Sequence, residues 1–465
     1  MATQRIVVVG ASLAGLRAAE TLRADGFAGD VVVIGAEPHR PYDRPPLSKK
    51  LLAGEWEPDR IQLRQPDAFD ELDVEWRFGL AAAGLDLDAR RVHLTDGSSL
   101  DADGVIIATG AACRRLSEQS RYPHVHEVRT LDDSMRLRAE LADGGRRVVV
   151  IGAGFIGLEV AATAKQLGND VVVLEGGDAP LVRGLGDEMG RAIGALHEAA
   201  GIDIRCGVQV GRLHDDGVMI TGAAGSGWAS ELLSADVVVV GIGVVPATAW
   251  LADSGAELRD GVVCDATLRV RRQDGSPAAG VYAAGDVARW TNDLYGEEMR
   301  IEHWTNAAEQ GAAAAKNLLA ELGGRVDDDG EPILPEVYAP VPFFWSDQLD
   351  HRIQFVGRAA AGPDSPIEVT VAAGSLPGTT DGNHGDGHDD GDGQDDGDGQ
   401  DDGDGHEDDG GGDDAKWLAL YSDPATGRLR GALGVNAPRW VMPMRTLLLG
   451  QASLDDALAR AAEFT

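Results

Sequence analysis

The sequence predicts an α/β protein in which one strand–loop–helix–strand unit occurs twice and is followed by an α+β region. The apolar runs Arg5–Val9 and Asp30–Ile34 flank a glycine-containing loop and a helical pattern. Farther along the chain, the runs Arg147–Ile151 and Asp170–Leu174 repeat this arrangement. Apolar runs this continuous are typical of parallel strands that are covered on both faces. The repeat therefore indicates two Rossmann-like units in one chain.

The region from Val326 to the end has a different pattern. The short runs Arg352–Gly357, Ile367–Ala372 and Trp417–Tyr421 predict an antiparallel sheet, and Leu454–Ala462 predicts a helix. The chain has 465 residues, which at roughly 150 residues per domain is enough for about three domains. We therefore expect the two repeated units to be followed by a third, α+β domain.

The chain is acidic, with a formal net charge of −36, and one segment carries much of that charge. Asp381 to Asp414 contain 15 Asp and one Glu and no Lys or Arg. Residues 378–414 have no apolar anchor, so we expect a disordered acidic loop between two strands. Calcium binding is an alternative, but the segment lacks the terminal glutamate of a calcium loop and the recurring apolar residue of a β-roll. So acidic a chain is a poor candidate for binding nucleic acid or anionic membranes.

The cysteines and the N-terminus indicate a reducing compartment. Cys113, Cys206 and Cys264 lie far apart in sequence, which excludes a CxxC redox pair and a four-thiolate cluster. No apolar stretch approaches the roughly 20 residues of a membrane span. The N-terminus leads directly into a strand without a signal-type pattern. We expect a cytoplasmic protein, and no metal site is predicted.

The first glycine loop follows a strand and opens a helix, as a dinucleotide-binding loop does. Gly10 permits the tight turn, Ser12 lies where the backbone approaches a pyrophosphate, and Gly15 lets the helix pack on the strand. Ser12 replaces the usual glycine but is small, and its hydroxyl could donate to phosphate. Glu37, just past the second strand, is placed to accept hydrogen bonds from ribose hydroxyls. The sequence therefore predicts a dinucleotide site that also includes Ala14 of this loop.

The second loop has the full G-x-G-x-x-G pattern. Its residues are Gly152, Gly154, Phe155, Ile156 and Gly157. An acidic residue, Glu175, follows eighteen residues after the last glycine. A carboxylate at this place favours a free ribose 2′-hydroxyl and repels a 2′-phosphate, so NADH is expected in preference to NADPH.

Two dinucleotide loops in one chain are most economically explained by FAD held in the first unit and NADH visiting the second. Three further segments fit this interpretation. Ala108, Thr109 and Gly110 end an apolar strand, Gly243 ends another, and Gly285 and Asp286 follow a third, where an acid suits a ribityl hydroxyl. We therefore expect an FAD-binding domain (residues 1–112 and 246–325), an NADH-binding domain (113–245) and a C-terminal α+β domain (326–465).

Taken together, these motifs resemble the FAD-dependent, NADH-linked ferredoxin reductases of the glutathione-reductase-like superfamily, which serve bacterial cytochrome P450 and ring-hydroxylating dioxygenase systems. The residues that carry the resemblance are Arg40–Lys49 (RPYDRPPLSK), Gly152–Ala162, Ala284–Ala288, Arg300–Trp304 and Phe344–Gln348. The resemblance covers the chain except Gly378–Asp414.

The resemblance implies roles for individual residues. Lys49 would lie near the flavin N5 and stabilise negative charge on the reduced ring. Phe155 would cover the flavin face on which nicotinamide stacks, and Glu159 would meet the carboxamide. The other implied flavin contacts are Arg44 and Pro45 along the FAD site, Arg129 from the second domain, Asp286 at the ribityl hydroxyls and Trp304 at the pyrimidine end. Any role of His303 is left open, because the family often has Ser or Thr near this position.

An absent cysteine narrows the chemistry. Disulfide reductases of this superfamily place a redox cysteine shortly after the first ribose acid, where this chain has Pro45–Lys49 and no cysteine before Cys113. Electrons would therefore leave the flavin directly, one at a time, to a [2Fe–2S] ferredoxin that serves an oxygenase. The candidate docking residues are Arg64 and Arg300, and a monomer or weak dimer is expected.

Three other functions remain open from the sequence. An NADH oxidase would pass electrons to oxygen without a ferredoxin. A redox-sensing protein of the same fold would resemble the flavoprotein linked to apoptosis. A metal-buffering protein would use the acidic segment.

Overall fold

The computed structural model describes residues 4–222, 230–323, 333–359, 367–377 and 416–464. The strands are, in chain order, β1 (Arg5–Val9), β2 (Asp30–Gly35), β3 (Glu75–Phe78), β4 (Ala82–Asp86), β5 (Arg91–Leu94), β6 (Ser99–Asp101), β7 (Gly104–Ile107), β8 (Ala111–Cys113), β9 (Val125–His126), β10 (Arg147–Ile151), β11 (Asp170–Leu174), β12 (Asp203–Arg205), β13 (Val208–His214), β14 (Gly217–Gly222), β15 (Glu231–Ser234), β16 (Val237–Val240), β17 (Val244–Pro246), β18 (Val262–Val263), β19 (Arg269–Arg271), β20 (Pro277–Ala283), β21 (Ala288–Asn292), β22 (Glu297–Met299), β23 (Phe343–Gln348), β24 (His351–Gly357), β25 (Glu368–Gly374), β26 (Trp417–Asp423) and β27 (Arg428–Val435).

The α-helices are α1 (Leu13–Ala24), α2 (Pro66–Asp70), α3 (Leu131–Leu141), α4 (Phe155–Gln166), α5 (Val182–Ala199), α6 (Trp304–Glu321), α7 (Pro438–Leu449) and α8 (Leu454–Ala461). Short 3-10 turns lie at Pro45–Ser48, Gln119–Arg121, Ala249–Leu251 and Gly285–Val287. Within the described ranges no helix combines the length and the apolar character that crossing a membrane requires.

The first large sheet has six strands in the order β19-β20-β7-β1-β2-β3. Strand β1 lies between β2 and β7 and is parallel to both, with Val7 opposite Val32 and Val105. The side chains of Ile6, Val7 and Val8 are completely buried, which explains the uninterrupted apolar run. The predicted parallel strands of the first unit are confirmed.

The second sheet repeats this plan with five strands in the order β12-β11-β10-β16-β9. Strand β10 pairs in parallel with β11 and β16 and places Val149 opposite Val172 and Val238. Helix α4 begins directly after the glycine loop and buries Leu158, among others, in the core of this unit. The predicted duplication is therefore confirmed in the structure.

The chain passes between the first two sheets at a pair of hydrogen-bonded strands. Strand β8 pairs with β17 in antiparallel register, with Ala112 opposite Val245. The hydroxyl of Thr109 donates to the carbonyl of Ala247 at 2.9 Å, and the Ala247 amide donates to the carbonyl of Gly110 at 2.9 Å. The outgoing and returning segments are thus fixed beside each other.

The C-terminal region forms a five-stranded antiparallel sheet in the order β23-β24-β27-β26-β25. One face, with Phe355, Trp417 and Tyr421, packs into the same apolar cluster as the second sheet. The other face is covered by α7 and α8. The predicted antiparallel sheet and final helix are confirmed, whereas β23, β27 and α7 were missed by the sequence patterns. The predicted disordered acidic loop, residues 378–414, lies outside the described residues, and the flanking strands β25 and β26 pair with each other.

Helices α1 and α6 cross at a point where only a glycine fits. A Cβ on Gly311 of α6 would overlap the carbonyl oxygen of Ala14 in α1. This close approach fixes α6, whose first residue is Trp304. The contact thereby holds the side chain of Trp304 and the glycine loop before α1 in fixed positions relative to each other.

Gly311→Ala should lower the free energy of unfolding by about 1–3 kcal/mol, because the added methyl group must push two helices apart. Urea unfolding followed by circular dichroism measures the change. Gly450→Ala is the matched control, since Gly450 has no left-handed φ and a Cβ there would meet its nearest neighbours at 3.6 Å. Equal stability of the two variants would contradict this account of the helix crossing.

Candidate active site

The first glycine loop has the geometry of a phosphate-binding turn. Gly10 has φ +123°, and a Cβ there would overlap the carbonyl oxygen of Ala108. Ser12 is the N-cap residue of α1, but its side chain makes no capping hydrogen bond. The amide groups of the first helical turn are therefore not capped by this side chain, and the positive end of the helix faces the loop.

A cavity of about 240 Å³ opens at this loop. It lies at the carboxyl ends of parallel strands, where ligands of open α/β sheets bind. Residues of the predicted site in its wall are Gly10, Ser12, Glu37, Arg44, Ala108 and Thr109, and the indole of Trp250 also lines it. Pockets for drug-sized ligands measure roughly 300–1,000 Å³, so this cavity suits one nucleoside half of a dinucleotide.

Glu37 and Arg44 both line this cavity and form an ion pair. The Arg44 guanidinium donates to Glu37 Oε1 at 2.6 Å through one nitrogen and to Ser12 Oγ at 3.3 Å through another. It also donates to the carbonyl oxygen of Arg129. The hydroxyl of Tyr42 donates to Glu37 Oε2 at 2.5 Å, and burial raises the pKa of this phenol. Arg44 therefore places positive charge beside the loop expected to hold phosphates.

Arg129 and Asp286 form an ion pair in which an arginine Nη and a carboxylate oxygen are 2.8 Å apart. Burial opposes the charge of Arg129, but Asp286 outweighs it and the net pKa of the guanidinium is raised. A Cβ on Gly110 would lie 3.5 Å from an Arg129 Nη, and the Gly285 amide donates to buried Gln310 at 2.8 Å. The structure thus brings together Gly110, Arg129, Gly285 and Asp286, which the sequence predicted separately.

The second glycine loop is equally close-packed. A Cβ on Gly152 would overlap the carbonyl oxygen of Gly241, and one on Gly157 would overlap that of Gly152. Gly154 is the N-cap residue of α4, and the side chain of Ile156 is exposed. The second glycine loop therefore makes a tight turn that opens α4, and its role in binding a nucleotide stays a prediction.

Glu175 is held at the end of β11 by this loop. Its Oε2 accepts from the Ala153 amide at 2.8 Å, and its Oε1 accepts from the Gly177 amide at 2.8 Å. The guanidinium of Arg183 comes within 3.9 Å of where a Cβ on Gly243 would lie. Arg183, the first arginine after Glu175 in the sequence, therefore lies near Gly243, a residue of the predicted NADH site.

Lys49 and Glu159 form an ion pair between the first and the second glycine loop. Lys49 Nζ lies 2.9 Å from Glu159 Oε1, and the two side chains are 16% and 4% exposed. The 3-10 turn that begins at Pro45 leads directly into Lys49. Phe155, one helical turn before Glu159, contacts Phe344 at 4.8 Å between ring centroids. The three residues predicted to take part in the reaction are therefore brought to one junction.

Trp304 and its hydrogen-bond partner Asp43 add an indole ring and a carboxyl group to this region. Its indole Nε1 donates to Asp43 Oδ1 at 2.6 Å, and its ring meets that of Trp345 at 5.9 Å between centroids. Burial raises the pKa of Asp43, while the Trp304 hydrogen bond and Lys49 oppose the rise. Asp43 lies in the motif that carries the family resemblance, but no pattern assigned it a partner.

The two arginines expected to dock a ferredoxin are both engaged. Arg64 is 28% exposed and pairs with Glu20. Arg300 is only 10% exposed, pairs with Asp260 and Glu302, and donates to the carbonyl of Asp286 at 3.0 Å. The structure therefore offers neither as a free surface cation, and docking on them would require their ion pairs to open.

The three cysteines are free and poorly suited to thiolate chemistry. Burial raises the pKa of Cys113 to about 11 and also raises the pKa of Cys206. Cys264 is buried, and this burial raises its pKa further. All three are therefore thiols at neutral pH, which makes them weak nucleophiles.

His303 lies beside this junction as the N-cap residue of α6. Its ring contacts that of Phe344 at 4.8 Å between centroids, and its Nδ1 is buried without a hydrogen-bond partner among the described residues. Burial lowers the pKa of His303 from 6.5 to about 4, although Asp286 opposes this change. The folded protein therefore holds His303 as a neutral imidazole at neutral pH.

This depressed pKa predicts a loss of stability in acid. Above pH 6.5 His303 is neutral in both states, but between pH 6.5 and about 4 only the unfolded state takes up the proton. Folding should therefore lose up to about 3 kcal/mol over this window. His303→Gln removes this contribution, so the free energy of unfolding of the variant should fall less between pH 7 and pH 4.5. Exposed His93→Gln is the control, and identical pH dependence of His303→Gln and the wild type would contradict the prediction.

Comparisons with known proteins place this site in a family. Residues 4–311 match the family described as pyridine nucleotide-disulphide oxidoreductase. The ferredoxin–NAD(+) reductase component of the anthranilate 1,2-dioxygenase system from Burkholderia cepacia is 37% identical over 392 residues, covering 83% of this chain and 89% of that protein. Rhodocoxin reductase from Rhodococcus erythropolis is 35% identical over 371 residues, covering 79% of this chain and 82% of that protein.

Among solved structures, the crystal structure of the covalent putidaredoxin reductase–putidaredoxin complex matches with a TM-score of 0.79 at 26% identity. The match covers 100% of this chain and 99% of that chain. The chain therefore belongs to the pyridine nucleotide-disulphide oxidoreductase family, within its group of ferredoxin reductases.

Proposed function

We propose that this protein passes electrons from NADH through FAD to a [2Fe–2S] ferredoxin that serves a cytochrome P450 or a ring-hydroxylating oxygenase. The observation that carries the proposal is the buried Lys49–Glu159 ion pair, whose lysine lies in a segment, Pro45–Lys49, that contains no cysteine. The relatives named above are reductases of dioxygenase and rhodocoxin systems, and the matched complex contains putidaredoxin.

The residues present fit a dinucleotide flavin. The first loop leaves room for backbone to approach a pyrophosphate, Arg44 supplies positive charge, and Gln310 and His303 each have a buried polar atom without a protein partner among the described residues. The residues proposed to hold FAD are Gly10, Ser12, Ala14, Gly15, Glu37, Arg44, Pro45, Lys49, Ala108, Thr109, Gly110, Arg129, Gly285, Asp286 and Trp304.

NADH is assigned to the second loop. The residues proposed to bind it are Gly152, Gly154, Phe155, Ile156, Gly157, Glu159, Glu175 and Gly243. The carboxylate of Glu175 lies against the loop backbone, where a 2′-phosphate would meet negative charge. We further propose that residues 1–112 with 246–325 form the FAD-binding domain, 113–245 the NADH-binding domain and 326–465 the C-terminal domain.

The chain's own residues orient the reactants and compensate charge. When bound, a flavin supplies the conversion of a two-electron donor into single electrons. Lys49 holds a positive charge in a largely water-excluded place, where it stabilises negative charge more strongly than in water. Glu159 pairs with Lys49 and would orient a carboxamide, and Phe155 would exclude water from the face on which nicotinamide stacks.

The experiment that tests the function compares donors and acceptors in the purified protein. We expect rapid reduction of a [2Fe–2S] ferredoxin with NADH and at least tenfold lower kcat/KM with NADPH. Reoxidation by oxygen should be much slower than reoxidation by ferredoxin. Fast reoxidation by oxygen without preference for ferredoxin would contradict the proposal and favour the NADH oxidase.

The same assay tests the claim that no thiol relays electrons. Alkylation with iodoacetamide at pH 7.5 should leave ferredoxin reduction within twofold of the untreated rate, because the raised pKa values keep Cys113 and Cys206 as thiols. The double variant Cys113→Ser/Cys206→Ser should behave in the same way. A dithiol-dependent disulfide reductase, treated in parallel, serves as the positive control for alkylation. Loss of activity in both the alkylated protein and the double variant would show that a thiol takes part.

A further inference from the structure

The carboxylate of Glu159 has an ion-pair partner and two hydrogen-bond donors at the junction. Its Oε1 lies 2.9 Å from Lys49 Nζ and accepts from Ser346 Oγ at 2.5 Å. Its Oε2 accepts from Ser48 Oγ at 2.5 Å. Both serines are only 1% exposed. An unpaired carboxylate in so dry a place is costly, and these donors offset that cost.

The partners of Glu159 come from two segments that are far from it along the chain. Ser48 and Lys49 end the turn after Pro45, and Glu159 lies on α4. Ser346 lies on β23, the edge strand of the C-terminal sheet, 187 residues from Glu159 along the chain. The C-terminal sheet therefore contributes a polar group to the junction of the two nucleotide units.

The hydroxyl of Ser346 has a defined direction. Gln348 Nε2 donates to Ser346 Oγ at 2.9 Å, and Gln348 is itself buried. Because the hydroxyl oxygen accepts from Gln348, its single proton is free to point at Glu159. Gln348 thus donates to Ser346, and Ser346 donates to Glu159, so both hydrogen bonds of this chain run in the same direction.

This arrangement uses the two carboxylate oxygens unequally. Oε1 accepts a hydrogen bond from Ser346 and forms the ion pair with Lys49, whereas Oε2 accepts one hydrogen bond, from Ser48. A carboxylate oxygen accepts about two hydrogen bonds in the plane of the group, so Oε2 retains one acceptor position. An N–H donor such as a carboxamide can occupy it without displacing a protein group.

We propose that Ser346 is a positioning residue for the nicotinamide half of NADH. By occupying Oε1 it fixes the rotation of the Glu159 carboxylate and directs the remaining acceptor position of Oε2 to the carboxamide. This inference rests on the proposed function, because it takes Glu159 as the carboxamide partner. It adds a residue of the C-terminal sheet to the determinants of NADH binding.

The test measures the affinity of the oxidised, flavin-loaded protein for NAD⁺ and for ADP-ribose, which lacks the nicotinamide ring. Titration with calorimetry reads the dissociation constants directly and does not depend on turnover. In Ser346→Ala we expect NAD⁺ to bind about five- to tenfold more weakly, because one hydrogen bond to a charged group is lost. The affinity for ADP-ribose should stay within twofold of the wild type.

Two further variants separate positioning from stability. Ser346→Thr keeps the hydroxyl and should restore most of the affinity for NAD⁺. Ser134→Ala is the matched control, because Ser134 is fully buried and donates to the Leu47 carbonyl at 2.6 Å without touching Glu159. It should leave the ratio of the two affinities unchanged. If Ser346→Ala does not fold, Gln348→Met removes the donor that orients the hydroxyl and should weaken NAD⁺ binding in the same direction.

An unchanged ratio of the two affinities in Ser346→Ala, or an equal loss for NAD⁺ and ADP-ribose, would overturn the inference. The first outcome would mean that Glu159 needs no orientation by Ser346, and the second that Ser346 does not act on the nicotinamide half. Failure of the proposed function is distinguishable, since it would show as a wild-type protein that does not reduce a ferredoxin with NADH.

Discussion

The arrangement of the three units depends on one buried charge, the carboxylate of Glu159. Glu159 lies almost without exposure on α4, and a carboxylate in such a place must be paired or it destabilises the fold. Its partners come from two other regions of the chain: Lys49 and Ser48 from the turn that begins at Pro45, and Ser346 from the C-terminal sheet. Electrostatic pairing therefore ties together three units that apolar packing alone would hold with less angular precision. The same pairing leaves a cation where the reaction is expected to accumulate negative charge.

Backbone contact is the second constraint, and it acts at both nucleotide loops. Gly10 and Gly152 bring the chain against the carbonyl groups of Ala108 and Gly241, so each loop lies on the strand that leaves its own sheet. Gly311 does the same for the crossing of α1 and α6. These contacts allow no side chain, and they hold the phosphate loops, the start of α6 and the Arg129–Asp286 pair in a rigid frame. Because these contacts are made by the backbone and not by flexible side chains, they hold the residues of the junction in defined positions.

Most of the fold and the nucleotide loops could be predicted because their signals are local. The runs Arg5–Val9 and Arg147–Ile151 are observed as strands with the expected bounds, and the glycine loops follow them directly. The partners of the site residues could not be predicted, since Ser346 meets Glu159 across 187 residues and Trp304 meets Asp43 across 261. The engagement of Arg64 and Arg300 in ion pairs also depends on folding, because nothing near them in sequence shows which carboxylates they meet.

The most direct test of the central claim is the rate at which NADH reduces the bound flavin in Glu159→Gln, measured by stopped-flow absorbance. Gln keeps the size of the side chain but removes the carboxylate that holds Lys49 in place and orients the carboxamide, so we predict a rate about a hundredfold lower than that of the wild type. Exposed Glu198→Gln is the control, and reduction by dithionite should be equally fast in all three proteins. A rate in Glu159→Gln within twofold of the wild type would show that the buried ion pair is not the centre of the reaction.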